Sequence, residues 1–196
     1  MPKRTHQTHT AREARILQAA VVCLAHAGYH GTTMEEIAVT AGIAKGGAYR
    51  YFPSKEALFL ALYDEWGCHL DDGIQAALES LSPERASPRR TLRLILEVAG
   101  RYVQEESALC RVLMDGRTLG AYIPAIRKRV EREQALTAER IAELLRTGIA
   151  AGEWPDSMPV AAQTTLLLTA LHGPMASWRL APGSFDWDEM AALLVP

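Results

Sequence analysis

Long apolar runs are absent from this chain of 196 residues, and so is the strict alternation of apolar and polar residues that is typical of β-strands. No stretch reaches the ~18 consecutive apolar residues that a membrane-spanning helix needs, so we predict no membrane segment. Residues 1–10 are polar and basic, and no apolar stretch with a small-residue cleavage site follows them, which argues against a secretory signal. These absences predict a cytoplasmic protein built from helices.

Cysteine is scarce, and its spacing excludes several kinds of site. Cys23, Cys68 and Cys110 are odd in number and lie far apart in apolar helical patterns, so we expect buried reduced thiols. Cys68-His69 and His172 lack the clustered spacing of metal ligands, and no metal or other cofactor is predicted. The sequence also offers no pattern for a nucleophile with its base, for paired carboxylates, or for a phosphate-binding loop after a strand. We therefore predict no catalytic site.

Charge is nearly balanced over the whole chain, at −2, but it is unevenly distributed. Residues 1–55 carry seven basic and three acidic side chains, a net charge of +4, whereas the rest of the chain carries 14 basic and 20 acidic ones. A basic N-terminal quarter on an acidic body indicates a region that binds a polyanion, attached to a body with another task.

The composition of the chain favours helices, because Ala, Leu, Glu and Arg are abundant and glycine or proline marks where helices end. Thr10 with Glu13, and Thr33 with Glu36, have the spacing of capping boxes, which begin helices. Gly28 is predicted to end the first helix. The predicted helices cover about residues 11–28, 34–41, 44–51, 54–81, 88–106, 108–117, 122–151, 159–181 and 186–195.

Two short predicted helices, 34–41 and 44–51, are joined by a tight turn at Gly42. Neither is long enough to be stable alone, so both must pack on the first helix as a three-helix unit, which is a helix-turn-helix. In this motif the second short helix lies in the major groove of DNA. The sequence therefore predicts an all-α protein with a helix-turn-helix DNA-binding domain over 1–55, joined by the long fourth helix to a larger helical domain over 56–196.

The third predicted helix carries Lys-Gly-Gly-Ala-Tyr-Arg-Tyr at 45–51. Two adjacent glycines cost about 1 kcal/mol each relative to alanine inside a helix, so their presence indicates close approach to a DNA backbone or base edge. In the alternative interpretation the two glycines form a loop and the tyrosines belong to the core.

Side chains suited to DNA contact lie around this third helix. Lys45 and Lys55 supply charge for phosphates, and Arg50 can reach guanine. Tyr49 and Tyr51 supply hydroxyls for phosphate oxygens and ring faces for thymine methyl groups. The predicted DNA-binding residues are Thr33, Lys45, Gly46, Gly47, Tyr49, Arg50, Tyr51 and Lys55.

A family resemblance rests on the residues around the two short helices. They are Gly31-Thr32-Thr33, Ile37-Ala38, Ala41-Gly42-Ile43, Lys45-Gly46-Gly47 and Tyr49-Arg50-Tyr51-Phe52-Pro53-Ser54-Lys55-Glu56-Ala57-Leu58-Phe59. Over about residues 10–60 the chain closely resembles the N-terminal domain of TetR-family transcriptional regulators. Ala48 departs from the family pattern, because a larger apolar residue such as leucine is common there, and we expect a looser third helix.

The resemblance implies a DNA interface, a partner and a mode of control. It implies a homodimer on a palindromic double-stranded DNA operator, most often repressing until a small molecule enters the body. It also implies that phosphates are contacted by Thr33, Tyr49, Tyr51 and Lys55, and that Lys45, Gly46, Gly47 and Arg50 face bases.

The C-terminal helices predict a dimer interface. The segment 160–171 is apolar almost all round, so we expect it to be buried as an interface helix, with 185–194 packed beside it. Two such helices from each subunit form a four-helix bundle, whose two-fold axis sets the DNA-reading helices about one DNA turn apart. Pro174 is predicted to interrupt and kink the first of these helices, which can open a cavity.

An apolar cavity with a few polar groups suits a small apolar effector. The candidate ligand-binding residues are Trp66, Leu70, Val98, Tyr102, Cys110, Met114, Tyr122, Ile126, His172, Met175 and Trp178. The alternative is an architectural or ligand-independent DNA-binding protein, which needs no such cavity. Attachment to a membrane surface is disfavoured, since the basic residues are spread over several faces.

Overall fold

The computed structural model of the protein describes residues 10–81, 86–105, 107–178 and 186–195. Within these ranges there is no β-strand, so the prediction of an all-α fold is confirmed. The elements in chain order are α1 (Ala11–Gly31), α2 (Met34–Thr40), a 3₁₀ turn (Gly47–Arg50), α3 (Lys55–Glu79), α4 (Pro88–Glu105), α5 (Ser107–Leu119), α6 (Pro124–Ala150), α7 (Val160–Trp178) and α8 (Trp187–Leu194).

The described residues group into two compact units. Unit one lies within residues 1–69 and 106–130, and unit two lies within residues 70–105 and 131–196. The domain boundary that the sequence suggested, at residue 55, stays a prediction, because these units are defined by packing and not by independent folding.

The core of unit one is formed where α1 packs on α2 and on α5. Helix α1 begins with the predicted capping box: the Glu13 amide donates to the Thr10 hydroxyl at 3.3 Å, and the Thr10 amide donates to the Glu13 carboxylate at 2.6 Å. Its apolar stripe faces inward. Fully buried side chains in this core include Ile16, Leu17, Ile37, Ala48, Leu58, Phe59, Leu62, Val112, Leu113 and Ile126.

Helix α1 is broken near its end at Gly28, as predicted, although its last turn continues to Gly31. Gly28 has a φ of +72°, which side chains with a Cβ rarely adopt. The buried Thr32 hydroxyl lies within donating distance of two carbonyls at the break, Gly28 O at 2.9 Å and Cys23 O at 3.1 Å. The hydroxyl has one proton, so it donates to one of these two carbonyls at a time and ties Thr32 to the end of α1.

The third element differs from the predicted α-helix over 44–51. The chain forms only the 3₁₀ turn Gly47–Arg50, with Gly46 before it at a φ of +80°. A Cβ on Gly46 would meet nothing within 4 Å, so the left-handed backbone, and not a close neighbour within the chain, requires glycine there. The alternative of a loop therefore describes Gly46 better, while Tyr49 is exposed and does not belong to the core. We call residues 45–51 the reading turn.

In unit two, α4 is the central helix, and both α7 and α8 pack on it. Trp187 at the start of α8 lies against Gly100 of α4, where a Cβ would overlap the indole. Helix α8 therefore packs chiefly on α4, although the sequence suggested α7 as its neighbour. The buried residues of this core are Leu92, Leu96, Ile141, Leu145, Trp154, Leu167, Ala191 and Val195.

Helix α7 is not buried all round in the single chain. Leu167 is fully buried, but Leu166 beside it is 52% exposed. Other exposed residues of this helix are Ala161, Ala162, Thr165 and Thr169. The helix also continues through Pro174 to Trp178, so the predicted interruption does not end it. No helix in the described part of the chain is long and apolar enough to cross a membrane.

Candidate nucleic-acid interface

The reading turn is anchored from within and presents its polar side chains outward. Ala48 is fully buried and Phe52 nearly so, and the Phe52 amide donates to the Ala48 carbonyl at 2.9 Å. Between and beside these anchors, Lys45 and Arg50 are exposed, and Tyr49 is 46% exposed. The small side chain of Ala48 thus lies inside the core, while Lys45 before it and Arg50 after it are exposed.

The turn of the helix-turn-helix is held to α1 by a side chain that the sequence did not single out. The Arg15 guanidinium donates to the Ala41 carbonyl at 2.7 Å, which satisfies a backbone oxygen at the end of α2. Gly42 follows with a φ of +68°, as the predicted tight turn requires. The contact joins residues 26 positions apart, so no local pattern announces it.

Tyr51 lies half-buried at the edge of the reading turn, next to a second basic side chain of α1. Arg12 donates to the Tyr51 hydroxyl across 3.5 Å, and this hydrogen bond raises the pKa of Arg12 above its ordinary value. Arg12 was counted in the basic N-terminal quarter but was not among the predicted DNA-binding residues. The structure brings it beside one of them.

Thr33 is occupied by the capping box that begins α2. Its amide and hydroxyl donate to the Glu36 carboxylate at 2.7 and 2.9 Å, and the Glu36 amide donates to the hydroxyl at 3.2 Å. The Thr33 amide, followed by its hydroxyl, lowers the pKa of Glu36. A phosphate approaching Thr33 would therefore have to displace a carboxylate.

Lys55 is half-buried and points to the corner between α1 and α2. Its ammonium group donates to the Thr32 carbonyl at 2.6 Å and also to the Tyr29 carbonyl. It lies 4.5 Å from the centre of the Tyr29 ring, over its face. Burial lowers the pKa of Lys55. Unlike Lys45, this lysine is engaged with the protein's own backbone.

The predicted ligand-binding residues are divided between the two units. In unit one, Trp66 and Met114 are half-buried and Cys110 and Ile126 are buried, but Tyr122 is 77% exposed in the turn before α6. The predicted residues of unit two are the half-buried Leu70, Tyr102 and His172 and the buried Val98. The side chains of Met175 and Trp178 lie outside the described part of the structure.

The cysteines agree with the expected pattern only in part. Cys68 and Cys110 are buried, whereas Cys23 is half-buried on α1. Its sulfur lies 3.3 Å from the Thr40 hydroxyl. In the portion of the chain that the structure describes, no three His, Cys, Asp or Glu side chains come together as a possible metal site.

The comparison with known protein families matches the interface just described. A model of the bacterial regulatory proteins of the tetR family matches residues 16–62, which span α2, the reading turn and the start of α3. The match covers the helix-turn-helix, about a quarter of the chain, and shows that this part resembles the tetR family. The resemblance predicted from the sequence is confirmed.

Relatives of this chain are transcriptional regulators. RutR of Escherichia coli K12 is 36% identical over 114 residues, 56% of this chain and 51% of RutR, so the chain spans about half the length of that relative. The transcriptional repressor AcnR of Corynebacterium diphtheriae is 26% identical over 196 residues, 99% of this chain and 93% of AcnR. Among solved structures, FadR from Bacillus subtilis in complex with stearoyl-CoA has a TM-score of 0.76 at 20% identity, covering 93% of this chain and 97% of FadR. That likeness shows a shared fold.

Proposed function

We propose that this protein is a transcriptional repressor that binds a palindromic operator as a homodimer and is released by a small apolar effector. The observation that carries the proposal is the reading turn, where Lys45, Tyr49 and Arg50 are exposed around the fully buried Ala48. We call these three exposed side chains the basic face. The match of residues 16–62 to the tetR family model supports a regulator over an enzyme, and the likeness to the repressor AcnR supports repression.

Each residue of the basic face has a chemical role in this proposal. Arg50 carries a planar group that can donate two hydrogen bonds to a guanine, so it reads sequence. Lys45 and Tyr49 contact phosphates, with Tyr51 at the edge of the turn, and fix the position of the protein on the duplex. Gly46 and Gly47 lack side chains, which lets the duplex approach the backbone there. Thr33 adds a phosphate contact if its hydrogen bonds to the Glu36 carboxylate are broken.

The proposed homodimer uses an apolar face of unit two. The exposed leucines of its last two helices are Leu166 of α7, which is 52% exposed, and Leu193 of α8, which is 74% exposed, and we call these two side chains the apolar face. Large apolar side chains exposed on a regular helix favour burial against another surface. A second copy of the chain would cover this face with the same face of its own, as two-fold symmetry requires. Two subunits on one two-fold axis match a palindromic operator.

The effector is proposed from chemistry and from one solved relative. FadR of Bacillus subtilis was solved with stearoyl-CoA, so long-chain acyl-CoA thioesters are the first class to test. Within unit two, half-buried Tyr102 and His172 are the first of the predicted ligand-binding residues to alter, because they combine apolar bodies with a polar atom. Action on chromosomal DNA requires a location in the cytoplasm.

The test begins with selection of bound sequences from random duplex DNA by the purified protein. We expect a palindrome, bound by one or two dimers. The selected duplex is then titrated in gel-shift assays with stearoyl-CoA, stearate and free CoA, and release by one of these supports the effector class. If no common sequence is selected, the proposal that the protein is a sequence-specific regulator is wrong. A palindrome that no small molecule releases would favour the ligand-independent alternative.

A further inference from the structure

Lys55 begins α3, yet its side chain reaches back across the fold to the end of α1. Its ammonium has three N–H donors. Two of them serve the carbonyls of Tyr29 and Thr32, and the group lies against the Tyr29 ring. The side chain is half-buried, while Lys45 in the same unit is exposed.

The two carbonyls that Lys55 binds lie at the end of α1, where the helix itself supplies no backbone donors. Helix α1 breaks at Gly28, and the chain turns between Gly31 and Met34 before α2 begins. Carbonyls at a helix end lack partners within the helix, and a cation there also interacts favourably with the helix dipole. Lys55 therefore closes the corner between α1 and α2 from outside that segment.

This corner sets where α2 begins. The Thr32 carbonyl that Lys55 holds belongs to the residue immediately before Thr33, which caps α2. The reading turn packs directly on α2. The link that leads from α2 to the reading turn is also held, because the Ile43 amide donates to the Ala38 carbonyl at 3.0 Å. A shift of the corner would be passed through seven residues of helix to the basic face.

We propose that Lys55 is a positioning residue for DNA binding, which holds the α1–α2 corner and through it the basic face, and that it does not contact a phosphate. The inference rests on the proposed DNA-binding function. It separates Lys55 from Lys45, which carries the same charge in the same unit but is exposed.

The dependence of DNA affinity on salt distinguishes the two roles. Each phosphate neutralised by a protein cation contributes about 0.9 to the slope of log affinity against log salt concentration. The unaltered full chain, Lys45→Met and Lys55→Met are titrated against the duplex recovered by selection, at several salt concentrations and below their melting temperatures. We expect Lys45→Met to reduce the slope by about 0.9. We expect Lys55→Met to weaken binding by about tenfold with an unchanged slope.

A second variant serves if Lys55→Met does not fold. Lys55→Gln removes the charge but keeps two N–H donors that can reach carbonyls. We expect its slope to equal that of the unaltered chain and its affinity to lie between those of the unaltered chain and Lys55→Met.

The results that overturn the inference differ from those that overturn the proposed function. A slope reduced by about 0.9 in either Lys55 variant means that Lys55 contacts a phosphate. Unchanged affinity in folded Lys55→Met means that the corner has no part in positioning the basic face. If the unaltered chain itself shows no salt-dependent binding, the proposed function fails, and Lys45→Met then has no effect either.

Discussion

The basic face and the apolar face of this molecule are both exposed, but their supporting structures differ. The basic face sits on a short turn of irregular backbone, held by buried Ala48 and, at its edge, by a hydrogen bond from Arg12 of α1 to the Tyr51 hydroxyl. The apolar face belongs to regular helix, in which Leu166 lies beside fully buried Leu167. Under the proposed function the two surfaces meet unlike partners, DNA and a second copy of the chain, and their supporting structures differ accordingly. A polyanion calls for a few placed charges, and a second protein copy calls for area.

The largest expected effect comes from a charge in the apolar face. Leu166→Glu leaves the single chain almost unstrained, because the side chain is half exposed, but it would bury an unpaired carboxylate in the proposed dimer. We expect monomers in sedimentation analysis and operator affinity lower by more than about a hundredfold. Leu136→Glu, at a leucine 38% exposed on α6, is the matched control. Dimers of unchanged stability in Leu166→Glu would assign the interface elsewhere.

A smaller effect is expected from the basic face. Arg50→Ala removes a proposed base contact worth about 1–3 kcal/mol and should relax the preference for one base pair in a repeated selection experiment. Arg132→Ala, at an exposed arginine of α6, removes the same charge away from the basic face. It should leave the base preference in the selection experiment unchanged. If Arg50→Ala selects the same sequence with the same stringency, Arg50 does not read a base.

The backbone that carries the basic face is tested at Gly46, the first glycine of the reading turn. Gly46→Ala forces a residue with a Cβ into a left-handed conformation, which costs roughly 1–2 kcal/mol. We expect the free energy of unfolding in urea to fall by about that amount. Gly47→Ala is the control, since its φ is not positive and its Cβ would meet Ile43 at an ordinary 3.4 Å. Equal losses in both variants would argue against the left-handed turn.

The smallest expected effect concerns the capping box of α2. Because Thr33 lowers the pKa of Glu36 below its ordinary value of 4.5, the box stabilises the folded chain above that pH. Its contribution is lost as the pH falls through the lowered pKa. We expect thermal melts of the Glu36→Gln variant to depend less on pH below 4.5 than those of the unaltered chain. Glu35→Gln, one residue away and exposed, should behave like the unaltered chain.

Much of the fold follows from local signals, and these could be found in the sequence. Hydroxyl caps begin helices at Thr10, Thr33, Ser54 and Ser87, and in the structure each of these side chains accepts a hydrogen bond from a backbone amide in the first turn. Each cap acts over three residues, so spacing alone reveals it. The first residues of α1, α2, α3 and α4 therefore lie within one residue of the predicted ones.

Features that depend on distant residues could not be predicted in this way. The contacts of Lys55 with Tyr29 and Thr32 span 26 and 23 residues, so its charge alone suggested a phosphate contact. The 3₁₀ form of the reading turn depends on Gly46 adopting a left-handed backbone, and an adjacent pair of glycines does not specify this. The exposure of Tyr122 likewise depends on where the turn before α6 lies, which helical periodicity does not determine.

Ala48 never reaches the surface, yet its neighbours on both sides do. The distance between the core and the basic face is therefore set by a single methyl group. Operator preference can then change by substitution at a position that no base or phosphate touches, because a bulkier side chain at 48 would lift and rotate the residues around it. A genetic screen for altered operator preference should recover substitutions of Ala48 alongside those of Arg50.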